Sequence, residues 1–259
     1  MAHLNRIRDL WADNKPVANG WLSLGSPLVA ELYAMQGFDS CVVDMQHGMF
    51  GIGEAVAALQ AIRAAGVVPL ARVPALEPGI ISKIMDAGAL GVICPLIETA
   101  EQAAELVSYV RYPPLGVRSS GPTRAAMIYP DYSKVANGEV ICFAMIETSL
   151  GMANLEAISR TPGLDALYIG PSDLSISTSN GRLGPGFDRQ EPEMIEMIQK
   201  IIETGHAAGI KVGIQNGTSE YGARAAGWGA DFITLLNDAR MIAASASDAV
   251  KRFRAALAG

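Results

Sequence analysis

Ile141-Cys-Phe-Ala-Met-Ile-Glu147 is a wholly apolar run that stops at a carboxylate, and Ala166-Leu-Tyr-Ile-Gly-Pro-Ser-Asp173 repeats the arrangement with a Gly-Pro turn before its acid. Short apolar runs bounded by turn residues read as strands covered on both faces, which is the condition of strands in a parallel sheet. Two more runs end in a polar group: Ser40-Cys-Val-Val-Asp-Met-Gln-His47 in a histidine and Val67-Val-Pro-Leu-Ala-Arg72 in an arginine. Acid, acid, imidazole and guanidinium therefore leave the same kind of place.

Working outward, strand-like runs occupy 20–24, 40–45, 67–73, 91–96, 140–146, 166–169, 211–215 and 231–235. Helical periodicity follows each one, over 28–36, 53–65, 78–87, 99–111, 152–159, 191–208, 219–226 and 238–257. The strict alternation predicts a (βα)₈ TIM barrel, a single domain over 1–259 with no linker. Breaks such as Ala64-Ala-Gly66, Asp86-Ala-Gly88 and Ala207-Ala-Gly209 end helices where a left-handed residue is needed. Two stretches rich in Gly, Pro, Ser and Asn, 112–139 and 175–190, read as long irregular loops, the second a lid or a plain surface loop.

The chain is 259 residues long, half of them hydrophobic, with a net charge of -6. It is long enough for one large core. No basic run offers a footprint for nucleic acid, no apolar stretch is long enough to cross a membrane, and no apolar signal segment opens the chain. A soluble, cytoplasmic protein acting on a small molecule is expected. Cys41, Cys94 and Cys142 lie inside strand-like runs without C-x-x-C spacing and read as core thiols.

In a (βα)₈ barrel the C-terminal strand ends converge on one mouth, so His47, Arg72, Glu147 and Asp173 are expected in one pocket. Read singly, each acid is equally a helix N-cap or a surface acid, Arg72 a salt bridge beneath the loops, and His47 a structural histidine. Read together, two carboxylates suit a hard divalent ion, Mg²⁺ or Mn²⁺ with Co²⁺ as a further choice, its open positions taken by water and substrate oxygens. A 2-oxo acid chelates such an ion through its carboxylate and keto oxygen. The sharp turn Gly170-Pro171-Ser172-Asp173-Leu174 offers backbone N–H groups, Pro171 excepted, that suit the substrate carboxylate. Arg72 would stabilise a developing enolate, His47 would act as general base, and Asp44 would contact substrate or order the water around it. No lysine ends a strand, since Lys211 opens one, so a Schiff-base route is disfavoured.

These residues resemble the HpcH/HpaI family of class II, metal-dependent pyruvate aldolases over nearly the whole chain. The resemblance is carried by Val43-Asp-Met-Gln-His-Gly48, Ala71-Arg-Val-Pro74, Met85-Asp-Ala-Gly88, Pro95-Leu-Ile-Glu-Thr-Ala100, Arg111-Tyr-Pro-Pro-Leu-Gly-Val-Arg-Ser119, Met145-Ile-Glu147 and Ile169-Gly-Pro-Ser-Asp-Leu174. It implies metal ligands at Glu147 and Asp173, a keto-oxygen contact at Arg72 and proton transfer at His47. It also implies that Asp86 reaches the histidine of a neighbouring subunit in a hexamer, a trimer of dimers, with the last helix, about 238–257, exchanged. Met145 and Gln46 depart from the family, where Gln and Glu are common. The expected reaction is reversible cleavage of a 4-hydroxy-2-oxo acid to pyruvate or hydroxypyruvate and an aldehyde. The alternatives are a lyase for a citryl- or malyl-CoA-type thioester and a barrel that binds a 2-oxo acid without turnover.

Overall fold

Runs of buried Val, Ile, Leu and Ala pair edge to edge because each is apolar on both faces. In the computed structural model, which describes residues 3–258, they form β1 (Val17–Leu22), β2 (Ser40–Asp44), β3 (Val68–Arg72), β4 (Gly91–Cys94), β5 (Ile141–Ile146), β6 (Ala166–Ile169), β7 (Lys211–Gln215) and β8 (Phe232–Asn237). All pairs are parallel and β8 closes on β1, giving the expected (βα)₈ barrel. The helices are α1 (Arg6–Ala12), α2 (Pro27–Ala34), α3 (Ile52–Ala64), α4 (Pro78–Asp86), α5 (Ala100–Val110), α6 (Thr123–Ile128), α7 (Tyr132–Glu139), α8 (Ser149–Ala153), α9 (Leu155–Ser159), α10 (Pro171–Thr178), α11 (Pro192–Ala207), α12 (Ser219–Gly227) and α13 (Asp238–Ala258).

Four local expectations need correction. The first strand starts at Val17, three residues before the expected 20–24, because buried Asn19 interrupts the apolar signal; its amide donates to Thr234 Oγ1 (2.9 Å) and its carbonyl accepts from Ser40 Oγ (2.8 Å) inside the barrel. The stretch 112–139 contains α6 and α7, and Asn137 bonds both the N–H and the C=O of Tyr112 to hold a segment of weak helix formers. The helix expected at 152–159 is two short ones, α8 and α9, broken at Asn154. The stretch 175–190 begins inside α10, so only the part beyond Thr178 is irregular. α1, capped by Asn5, lay outside the periodic pattern.

An aromatic column fills the barrel. Phe143, fully buried, meets Trp11 at its base (6.1 Å between centroids) and Phe232 (5.1 Å) and Tyr168 (6.3 Å) above, and Tyr168 stacks on Trp21 (5.8 Å) near the mouth. The three cysteines are buried as expected, and burial pushes the Cys41 and Cys94 thiols up to about 12. No helix among the described residues is long and apolar enough to cross a membrane.

α13 differs from the other long helices. Beyond Met241 every described residue is exposed, including Ile242, Val250, Phe253 and Leu257, which fall on one side of the helix. The flank of β8 and β1 beside α12 is left as an apolar hollow lined by Pro16, Val17, Ala226, Ile233 and Leu235.

Phe143→Ala empties the centre of the aromatic column and is expected to lower stability by about 3–5 kcal/mol. Denaturant unfolding checks this, and a loss below about 1 kcal/mol would mean that the column is not the packing core.

Candidate active site

The register of β2 against β3 sets Asp44 opposite Arg72 at the ends of their strands. Asp44 is 2 % exposed and accepts from Arg72 Nε on Oδ1 (2.8 Å) and from Nη2 on Oδ2 (2.6 Å), a two-pronged ion pair. Its oxygens also accept from the Gln46 and His47 backbone N–H groups (3.1 and 3.2 Å) and from the Trp21 indole (3.2 Å). Burial alone would raise the Asp44 carboxyl, but the hydrogen bonds and charge of Arg72, with the His47 N–H and the Trp21 indole, hold it below its ordinary value. Asp44 lines the cavity as expected, yet both oxygens are committed to orienting Arg72 and the start of the His47 loop. The Arg72 guanidinium also lies 4.9 Å from the Trp21 ring centroid, and its Nη1 has no partner among the described residues.

Glu147 follows β5 directly, and Asp173 lies in the first turn of α10 after β6. Glu147 is 3 % exposed, and Oε1 accepts from the N–H of Leu96, whose backbone is in the left-handed region at φ 55°. Burial, then the negative charge of Asp173, pushes the Glu147 carboxyl up to about 7, against the lowering effects of the Leu96 N–H and Arg72. Gly170 keeps this carboxylate accessible: a Cβ there would lie 2.7 Å from Glu147 Oε2 and 2.5 Å from Met145 Cε.

A cavity of about 290 Å³ opens at this mouth, lined by Asp44, His47, Arg72, Gly170, Pro171, Ser172 and Asp173, so seven of the nine expected site residues share it. Glu147 adjoins it behind Gly170. Asp86 is not part of it. It ends α4, accepts from Arg118 Nη2 (2.7 Å) and borders a separate hollow with Lys83 and Arg124. Among the described residues no cluster of three or more His, Cys, Asp or Glu is set to hold a metal. Glu147 and Asp173 are the pair that the sequence singles out, and a desolvated carboxylate whose charge is disfavoured beside a second acid is chemically suited to a divalent cation.

Sequence reasoning missed Trp21, Ser23, Phe187, Gln215, Asn237 and Arg240, which complete the cavity with Met145. Gln215 and Asn237 end β7 and β8, so the strand-end rule that found Glu147 reaches them too.

Two outcomes follow for stability. Arg72→Ala strips the buried Asp44 carboxylate of its partner and is expected to cost about 3–5 kcal/mol in urea unfolding, with Arg72→Lys costing less. Glu147 has a folded value near 7 against its ordinary 4.5, so its contribution to metal-free stability is full below about pH 4.5 and is lost as pH rises through 7. Glu147→Gln is expected to remove that decline, on the order of 2–3 kcal/mol, and an unchanged pH profile would contradict the assignment.

Known proteins share this architecture. The family model described as HpcH/HpaI aldolase/citrate lyase matches residues 19–242. The chain is 36% identical over 253 residues to a hydroxypyruvate/pyruvate aldolase of Rhizorhabdus wittichii, covering 97% of this chain and 100% of that one. It is 32% identical over 253 residues to a 5-keto-4-deoxy-D-glucarate aldolase of Salmonella paratyphi A, covering 96% and 97%. A crystal structure of an HpcH/HpaI aldolase/citrate lyase family protein from Burkholderia cenocepacia superposes with a TM-score of 0.88 at 32% identity, over 96% of this chain and 99% of the other. The match runs from β1 into α13 and takes in every strand whose end faces the cavity, and on that ground the chain belongs to the HpcH/HpaI aldolase/citrate lyase family.

Proposed function

We propose that this carbon–carbon lyase is a divalent-metal-dependent aldolase that reversibly cleaves a 4-hydroxy-2-oxo acid to pyruvate or hydroxypyruvate and an aldehyde. The observation that carries this reading is the buried Glu147 carboxylate, pushed up to about 7 in the company of Asp173, beside a cavity into which the preoriented Arg72 guanidinium projects. The relatives named as hydroxypyruvate/pyruvate aldolases support the pyruvate half of the substrate.

When bound to Glu147 and Asp173, a divalent ion such as Mg²⁺ or Mn²⁺ supplies Lewis acidity at the substrate's C2 carbonyl. Arg72, anchored through Nε and Nη2, has Nη1 left to donate to the same oxygen as negative charge grows there. N–H groups at the start of α10, at Ser172 and Asp173, are oriented to receive the C1 carboxylate. His47, exposed at the cavity with its backbone tied to Asp44, takes the proton from the C4 hydroxyl. The C3–C4 bond then breaks, its electron pair passes to the C2–C3 enolate, and C4 leaves as the aldehyde. Protonation at C3 gives the 2-oxo acid product.

The test is pyruvate release from a panel of 4-hydroxy-2-oxo acids by chelator-treated protein, with and without Mg²⁺, Mn²⁺ or Co²⁺. Restored cleavage is expected, with kcat/KM lowered about 100-fold or more by His47→Ala or Arg72→Ala. Full activity in chelator would contradict the metal. Absence of cleavage with every ion, in protein shown to bind metal, would favour a CoA-thioester lyase or a barrel that binds without turnover.

The same reading includes assembly of copies of this chain, up to the hexamer that the family resemblance implies, with α13 exchanged. What supports it is the exposed stripe of Ile242, Val250, Phe253 and Leu257, together with the open apolar flank beside α12. Phe253→Asp with Leu257→Asp is expected to reduce the particle mass seen by light scattering. A monomeric wild type would contradict the assembly.

A further inference from the structure

The loop that carries His47 runs from the end of β2 to the start of α3. Its near side is tied to β2 and β3: the Met45 N–H donates to the Arg72 C=O (3.0 Å), and the Gln46 and His47 N–H groups donate to Asp44 Oδ1. The imidazole itself has no hydrogen-bond partner among the described residues, so its reach into the cavity is set by the backbone beneath it. The far side of the loop is tied to the segment that follows β1. The Met49 N–H donates to the Ser23 C=O (2.7 Å), and the two segments meet at glycines. A Cβ on Gly48 would lie 3.1 Å from Ser23 Cα, and a Cβ on Gly25, at φ 68°, would lie 2.2 Å from the Met49 carbonyl oxygen.

Ser23 and Leu24 are held in turn by a carboxylate. Asp238, the first residue of α13, accepts on Oδ1 from the N–H groups of Ser23 (2.8 Å) and Ala239 (2.8 Å), and on Oδ2 from that of Leu24 (3.2 Å). It is 1 % exposed and has no cation within ion-pair distance among the described residues. Burial of an unpaired carboxylate is costly, and here three N–H donors offset that cost. The seam between β8 and β1 brings Asp238 to this place. The pairing of Asn19 with Thr234 becomes a pairing of Trp21 with Asn237, an irregularity after which Asn237 lines the cavity and Asp238 stands against Ser23 and Leu24.

We propose that Asp238 is a positioning residue for His47. It fixes Ser23 and Leu24, these fix the loop at Met49, and the imidazole is thereby held where it takes the proton from the C4 hydroxyl. Asp238 does not line the cavity and acts only through this chain of backbone contacts. Asp44 ties the loop at its root and Asp238 ties it at its far side, and a loop tied at both ends keeps its side chain in one direction. The inference rests on the aldolase reading with His47 as proton acceptor, and adds to it what aims the imidazole.

The experiment measures cleavage of a 4-hydroxy-2-oxo acid by metal-loaded Asp238→Asn protein, with His47 present and in a His47→Ala background. Asp238→Asn keeps the volume of the side chain and sets an amide N–H₂ against the Leu24 N–H. It is expected to lower kcat about tenfold or more, with KM and divalent-ion affinity within about twofold of wild type, because Glu147 and Asp173 follow other strands. In the His47→Ala background the same substitution is expected to cost less than about twofold, since a residue that acts through the imidazole then has nothing to act on. Gly25→Ala, which presses on the Met49 carbonyl without touching Asp238, is expected to show the same loss in kcat and the same dependence on His47. Unchanged kcat in Asp238→Asn, an equal fold-loss with and without His47, or loss of folding in both variants would overturn the assignment. A wild type that cleaves nothing, or full activity in His47→Ala, would instead remove the reading on which the inference rests.

Discussion

The ion pair between Asp44 and Arg72 is the interaction on which the mouth of this barrel depends. Two buried charges are stable there only because the pairing is two-pronged and the remaining lone pairs of Asp44 take the Trp21 indole and the N–H groups of Gln46 and His47. One carboxylate thus sets the direction of the guanidinium, the tilt of the indole and the first turn of the loop that carries the histidine. The support continues inward. Trp21 stacks on Tyr168, whose hydroxyl bonds Thr234 and Gln215, and Thr234 bonds Asn19, which bonds Ser40. Groups aimed from a braced interior lose little orientation energy when substrate arrives.

The second constraint is electrostatic. Glu147 is desolvated near the charge of Asp173, an arrangement that disfavours its ionised form and that a bound cation would relieve. Gly170 is part of that design, since any side chain there would press on the Glu147 carboxylate.

Much of this is legible in the sequence, for a physical reason. A parallel barrel sends every strand's C-terminal end to one face, so the apolar runs that stop at Glu147, Arg72 and His47, and the turn that leads to Asp173, announce both the fold and the site. What escaped depends on partners far away in the chain. Asn19 breaks the apolar pattern just before the expected strand at 20–24, because its bonds to Ser40 and Thr234 exist only once the barrel closes. Trp21 reads as a core aromatic until Arg72 and Asp44 are seen beside it. Arg240 lies one turn into a helix, and only its contact with Phe187 from a different loop places it at the cavity. Asp86 was singled out by family resemblance alone, and within one chain it serves Arg118 on another face.

The central claim is that the Glu147–Asp173 pair and Arg72 together activate the C2 carbonyl of a 2-oxo acid. Exchange of the C3 hydrogens of pyruvate in D₂O, followed by proton NMR, tests this without any aldehyde. The account predicts exchange that requires an added divalent ion and is lost in Glu147→Gln and strongly slowed in Arg72→Lys. Exchange that persists in chelator, or that is untouched by Glu147→Gln, would contradict it.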